Sequence, residues 1–455
     1  MGKPAAETRP ALPASRSPRG CIVAVWVGAA LLVLALVFAL TVDRSVAGQV
    51  EREIGALEAA GKPVTAAEAA PPLVPAADNA APLYEAAAAA IKVEPESAGR
   101  RNWRQPQWLS DAKHALAQNP RALALLATGT RKPACRFDAL YPLSLVTEHR
   151  EFYAVRKLSR LSSTAAVTAA LQGDGAVAAQ HVYEGLVLAR HVSAAPDTIG
   201  LLVTCAIDAI AINAAEKVLA TGPVSPADSD RLRRELGALD YMAAHARSLN
   251  SERAVRIDAY RCFRMAPTQV PLSVFPTRFP LSTPTLGERV RAAAQTAAEA
   301  AFRESALLWA DELRYLEAAA RAEELAPLPW RETHRQLAAL YVFPGAIGHA
   351  SPAAWSTRIY ADVTRKRDEA IARRGLLQAA LALHRYRAQH GTFPQALSEV
   401  RIEGLPIPDD VFSGKPFVYR RVGRSFVLYS IGSNLQDDGG RDDYQAGDLV
   451  WELAP

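Results

Sequence analysis

The chain has 455 residues, half of them hydrophobic and 22% charged, which excludes a disordered chain and leaves room for two or three domains of roughly 150 residues each. Abundant alanine with only 7% aromatic residues favours helix over sheet. A net charge of +5 from 52 basic and 47 acidic residues, with no long basic block beyond the N-terminus, argues against a nucleic-acid partner.

Residues 1–20 read as a cytoplasmic tail carrying Lys3, Arg9, Arg16 and Arg19 against the single acid Glu7. Cys21 to Val42 is an uncharged apolar run, long enough for the roughly 20 residues a transmembrane helix requires. The positive-inside rule then places the N-terminus in the cytoplasm, in a single-pass inner (cytoplasmic) membrane topology with the bulk of the chain extracytoplasmic. The implied partner is the lipid bilayer through residues 21–42. A cleaved signal peptide using Ser45-Val46-Ala47 is the rival, but the apolar run exceeds a signal core of about 7–15 residues, so an uncleaved anchor is preferred. Residues 43–77 read as a juxtamembrane helix over 45–60 and an Ala/Pro linker over 62–77.

A helical domain is expected over 78–265. Asp78 or Asn79 can cap a helix through Tyr84 to about Ile91. Helical spacing of apolar residues marks further helices near 107–118, 120–128, 148–172, 175–193, 198–220, 226–239 and 241–264. Gly173-Asp174-Gly175 is a tight turn, and Asn119-Pro120 and Ser225-Pro226 fit a cap followed by proline. Short loops between long helices imply antiparallel hairpins, in a generic bundle rather than a tetratricopeptide array, because no 34-residue period exists. A Pro-rich loop at 266–285 joins a helical continuation over 286–351. A long helix follows from about 353 to 389. The period then changes to two: Phe417–Arg421 and Ser425–Ser430 read as a hairpin and Leu449–Leu453 as a third strand.

Motifs for chemistry are scarce. No H-E-x-x-H, G-x-S-x-G or Walker phosphate loop occurs, and no C-x-x-C pair. Cys21 lies in the apolar run, leaving Cys135, Cys205 and Cys262 either to form one disulfide or, preferably, to act as small buried hydrophobes. His181 and Glu184 share a helix face in the wrong order for the usual metal pair. The group Glu252, Arg253, Arg256 and Asp258 reads as a salt-bridged face or buried structural pair, with Glu252 and Arg256 as i,i+4 partners. Arg365-Lys366-Arg367 and Arg373-Arg374 read as a solvated side of the long helix, and Trp103, Trp108, Tyr141 and Trp330 as core.

The last stretch carries an ordered series: Tyr386-x4-Gly391-x-Phe393-Pro394, Pro408-Asp409-Asp410, Gly414-Lys415-Pro416-Phe417-x-Tyr419, Tyr429-Ser430-Ile431-Gly432, Asp438-Gly439-Gly440 and Asp448-Leu449-Val450-Trp451. It resembles the C-terminal part of the major pseudopilin of type II secretion systems over about a fifth of the chain. The resemblance implies a pilin-like α+β module over 352–455 and a calcium ion in the loop before the last strand. The ligands it implies come from Asn434, Asp437, Asp438, Asp442, Asp443 and Asp448, with Asn434 standing where the family often has aspartate. Clustered carboxylates on a glycine-rich loop suit calcium, and a solvated acidic turn is the alternative. The N-terminus departs from the family: Gly20 precedes the apolar run, but Val25 replaces the glutamate of a pilin leader, and about 300 residues separate the run from the module. A borrowed fold is therefore expected, not a filament subunit.

The expected fold is mainly α: a transmembrane helix, an antiparallel helical-hairpin domain, then a long helix with a small antiparallel sheet. The expected function is a membrane-anchored scaffolding or interaction role with envelope proteins as partners. A helical binding module for a peptide, lipid or glycan and a hydrolase without a recognised motif are the alternatives.

Overall fold

A computed structural model describes residues 44–95, 103–141, 143–144, 149–265, 306–340, 352–400, 406–441 and 447–451. The apolar run 21–42, the Pro-rich loop 266–285, residues 286–305, and Asp442 and Asp443 lie outside them. The described chain is mainly helical and ends in a three-stranded antiparallel sheet. Helix α1 covers 44–59. It is followed by α2 (Ala81–Ala89), α3 (Pro106–Gln118), α4 (Pro120–Gly129), α5 (Arg150–Leu171), α6 (Gly175–Val192), α7 (Thr198–Thr221), α8 (Pro226–Ala238) and α9 (Tyr241–Met265). Then come α10 (Ala306–Leu325), α11 (Trp330–Ala339), the 39-residue α12 (Pro352–His390), β1 (Val418–Val422), β2 (Ser425–Ser430) and β3 (Leu449–Trp451).

Helix starts in the centre of the body are set by side-chain caps. Asp174 accepts from the Val177 N–H ahead of α6, Asp197 from Gly200 N–H ahead of α7, and Ser225 from Asp228 N–H ahead of α8. Asp240 accepts from Ala243 N–H at the start of α9. Each supplies an acceptor to an amide that the helix itself leaves unpaired. Helices α5, α6 and α7 pack on one another, and α7 also runs along α12. Among the described residues only α7 is long and apolar enough to cross a membrane, yet it is mostly buried and serves as the central core helix.

The long helix belongs to two neighbourhoods at once. Its Leu376, Leu377, Leu381 and Leu383 share one apolar core with Ile212 and Val218 of α7 and with Phe417, Phe426, Leu428 and Trp451 of the C-terminal end. Gly375 permits this: a Cβ there would stand 2.6 Å from the Phe417 ring. The helical body and the sheet therefore close over one helix, and the core crosses the boundary expected at 352.

A polar seam on α12 departs from expectation. Arg365 and Lys366 are partly solvated, but Arg367 and Arg374 are buried. They fall at seven-residue spacing on the same stripe as Tyr360 and Leu381, also buried, so the stripe that faces the core carries them inward. Arg367 donates to Asp368 Oδ1 (2.7 Å), to the carbonyls of Ala326 and Leu328, and to His245 Nδ1 (3.0 Å). His245 Nδ1 must accept, so its imidazole is neutral.

Burial, and then the charge of Arg367, hold the His245 pKa down at about 3. An unfolded histidine titrates near 6.5. The stability this group supports is therefore complete above pH 6.5 and is lost as pH falls towards 3. At pH 5 the loss is roughly 2 kcal/mol. His191 and His384, each lowered to about 4 mainly by burial, add losses of the same sign. Glu312, raised to about 7 mainly by burial, opposes them, because acid relieves its charge. Urea unfolding at pH 7.5 and 5 should show a smaller acid loss in His245→Asn than in the parent chain. Equal losses would show that His245 does not contribute.

The Ala/Pro segment 62–77, expected as a linker, is instead a strap laid across the body. Val64 is buried beside Val50 and Ile54 of α1 and Leu249, Ile257 and Tyr260 of α9. Lys62 pairs with Glu323 (2.7 Å), and the Ala66 N–H donates to Asp258 Oδ2 (2.7 Å). The carbonyls of Pro63, Pro71 and Ala77 accept from Arg253, Arg136 and Lys132. Proline removes a donor but leaves its carbonyl, and long cationic side chains of the body reach those carbonyls. Nearby, Glu252 and Arg256 pair as their spacing predicts, and Arg253 is buried against Glu323, so this charge group is structural.

Candidate functional site in the acidic loop

The sheet has the order β1-β2-β3, with Val422 opposite Ser425 in the hairpin and Tyr429 opposite Val450 across β2 and β3. Alternation along β2 buries Phe426 and Leu428 against α12. The acidic segment leaves β2 at Ser430 and returns at Asp448, immediately before β3. Its described part contains four of the six predicted ligands, Asn434, Asp437, Asp438 and Asp448.

These four are knitted together by hydrogen bonds. Asp448 is fully buried; its Oδ1 accepts from the Asp438 N–H (3.3 Å) and its Oδ2 from the Gly440 N–H (2.7 Å). Asp437 Oδ1 accepts from the Tyr429 hydroxyl (2.8 Å) and the Gly439 N–H (2.9 Å). Asn434 Nδ2 donates to Asp438 Oδ2 (2.8 Å), while its Oδ1 accepts from the Gln436 N–H (3.0 Å). Gly432 is fixed by the close return of the chain: its φ is +69°, and a Cβ would sit 2.4 Å from the Gly447 carbonyl oxygen.

Burial raises the Asp448 pKa; the amides of Gly440 and Asp438 lower it, and the charges of Asp437 and Asp438 raise it again. Among the described residues, no group of three His, Cys, Asp or Glu side chains is arranged to hold a metal ion. A shell of six to eight oxygens would have to draw on Asp442, Asp443 and backbone carbonyls as well. The described residues by themselves do not make a calcium site.

Asp410, part of the Pro408-Asp409-Asp410 motif but without a role legible in the sequence, is the hub beneath the loop. It is buried and accepts from Ser430 Oγ (2.7 Å) and the Phe412 N–H (3.1 Å) through Oδ1. Its backbone closes the turn with Lys415 and Gly414. The spacing Asp410…Ser413-Gly414 is a turn signal that could have marked it. Helix α11 ties the loop to the body. Trp330 Nε1 donates to the Ser433 carbonyl (2.9 Å), and Arg331 to that of Val411 (2.6 Å). The Trp330 N–H donates to Asp368 on α12 (2.6 Å).

The other predicted positions are structural. His181 and Glu184 do meet (2.9 Å), but Gln180 takes the second carboxylate oxygen. Trp103 and Trp108 are buried; Tyr141 and Trp330 are half-buried. Cys135, Cys205 and Cys262 are free thiols, buried, half-buried and exposed respectively. Compared with known proteins, the chain matches no family model, no curated sequence and no solved structure.

Proposed function

We propose that this chain is a membrane-anchored extracytoplasmic scaffold, held by residues 21–42, that presents a pseudopilin-like end to envelope partners. The observation that supports it is the seating of α1. The described part of this helix starts at Arg44, two residues along the sequence from the apolar run, and its Val50 and Ile54 are buried in the body. With the strap that follows it also fixed, an anchor at 21–42 would hold the body directly at the bilayer surface, without a flexible tether. A rigid body held at the membrane suits a protein that positions others. Cys262 offers the topology test, since it is exposed while Cys135 is buried. A membrane-impermeant maleimide applied to intact spheroplasts should label the full chain but not its Cys262→Ser variant. Labelling only after lysis would place the body in the cytoplasm. Cross-linking in the same membranes should recover envelope proteins, and recovery of this chain alone would count against scaffolding.

We further propose that the acidic loop takes calcium. The full chain should then melt higher in calcium than in chelator. Asp438→Asn, which keeps the Asn434 contact but removes the charge, should reduce that difference at least by half. A melt indifferent to calcium would leave the loop as a self-satisfied acidic turn.

A further inference from the structure

Between the end of α7, the first turn of α8 and the last turns of α12 lies a cavity of about 180 Å³. Leu219, Val224 and Leu381 give it apolar walls, and Ser229, His384 and Arg385 give it polar ones. Two of the polar groups lack partners. Ser229 is 4% exposed, and its Oγ makes no hydrogen bond; His384 Nε2 is likewise buried and unpaired. Buried polar atoms are ordinarily satisfied, so two orphans in the wall of one cavity point to something that enters it.

Hydrogen-bond donors around the cavity suit an anion. Arg385 donates to Asp230 through Nη1 (2.6 Å), leaving its remaining N–H groups for another acceptor. Arg233, a buried cation, lies close enough to the half-buried Arg385 to feel both it and Asp230. The first turn of α8, a 13-residue helix, contributes both Pro226 and Ser229 to the wall. Its dipole adds positive potential at the same place. The apolar walls require the rest of the ligand to be hydrocarbon. A cavity of roughly 150 Å³ accommodates benzene, so the body of the ligand is limited to about six carbons.

We propose that this cavity binds a small monocarboxylate with a short apolar body. Its carboxylate meets the Ser229 hydroxyl, His384 Nε2–H and Arg385, and its carbons lie against Leu219, Val224 and Leu381. The site is independent of the anchor and of the acidic loop. It is tested on the full chain in lipid nanodiscs by melting in the presence of hexanoate, with hexanol as the uncharged comparison. Hexanoate should raise the melting temperature saturably, by roughly 1.5 °C at tenfold excess over its Kd, and hexanol should do markedly less. Ser229→Val, which removes the unpaired hydroxyl, and Val224→Trp, which fills the cavity from its half-buried rim, should each abolish the hexanoate response. No saturable rise in the parent chain means that water alone occupies the cavity and overturns the proposal. Equal responses to hexanoate and hexanol overturn the carboxylate assignment, and an undiminished response in Val224→Trp places binding elsewhere. Should Ser229→Val fail to fold, the Val224→Trp and hexanol comparisons still decide.

Discussion

Neither a chain ending at residue 351 nor the segment 353–455 alone is expected to show a cooperative thermal transition, and each should be degraded by protease within minutes under conditions that spare the whole chain. The reason is the single core built around α12. Leu376, Leu377, Leu381 and Leu383 lie between α7 and the sheet residues Phe417, Phe426 and Trp451. Each fully buried side chain of this kind contributes about 1.5–3 kcal/mol. Seven together exceed 10 kcal/mol, comparable with the whole net stability of a domain, about 5–15 kcal/mol. Cutting at 352 strips the body of α12 and leaves α12 with one flank bare. Circular dichroism melts and limited proteolysis of both pieces check this. A cooperative melt of 353–455 by itself would show that the C-terminal module is an autonomous unit joined to the body only by contact.

Much of the secondary structure was legible because the local signals agree. Apolar periodicity, the Gly173-Asp174 turn and the Ser225-Pro226 cap place α5 to α9 within one or two residues of their observed ends. The switch to period two located the hairpin. What could not be read was which polar residues go inside. Alternate charges on α12 look the same in one dimension whether they face water or a partner helix. The clue lay elsewhere, in Asp208, an acid in the middle of an otherwise apolar helical run. Such a residue demands a buried partner. The strap 62–77 was misread because its Ala/Pro composition matches a linker, while its anchors are carbonyl groups, which every residue has. At the acidic loop the sequence brought together Asn434, Asp437, Asp438 and Asp448. It could not show that Tyr429 and the amides of residues 438–440 already occupy much of their oxygen capacity, nor that Asp410 shapes the turn below.

The second large effect concerns that buried partner. Arg374 donates to Asp208 through Nε (2.7 Å) and Nη2 (2.9 Å), and its Nη1 reaches the Leu236 carbonyl (2.7 Å). Tyr241 donates its hydroxyl to Asp208 Oδ2 (3.0 Å). Desolvation alone would lower the Arg374 pKa; Asp208 outweighs it, and the net shift is upward. Arg374→Met leaves a buried carboxylate with only a tyrosine for company, at an expected cost of about 3–5 kcal/mol. Asp208→Leu strands the guanidinium with backbone carbonyls and should cost a similar amount. The double variant removes both charges and should recover most of the loss, so the two costs are strongly non-additive. By contrast, the solvent-exposed pair Arg321–Glu324 should be worth less than about 1 kcal/mol. Urea unfolding of the two single variants and the double variant decides. Additive losses would mean that each residue acts through its own packing, while a double variant near parental stability would mean that the pair mainly fixes the rotation of α12 against α7. That rotation also points Leu376, Leu377 and Leu381 into the core and places His384 and Arg385 beside α8, so an error of one residue in register would dismantle the core and the cavity together.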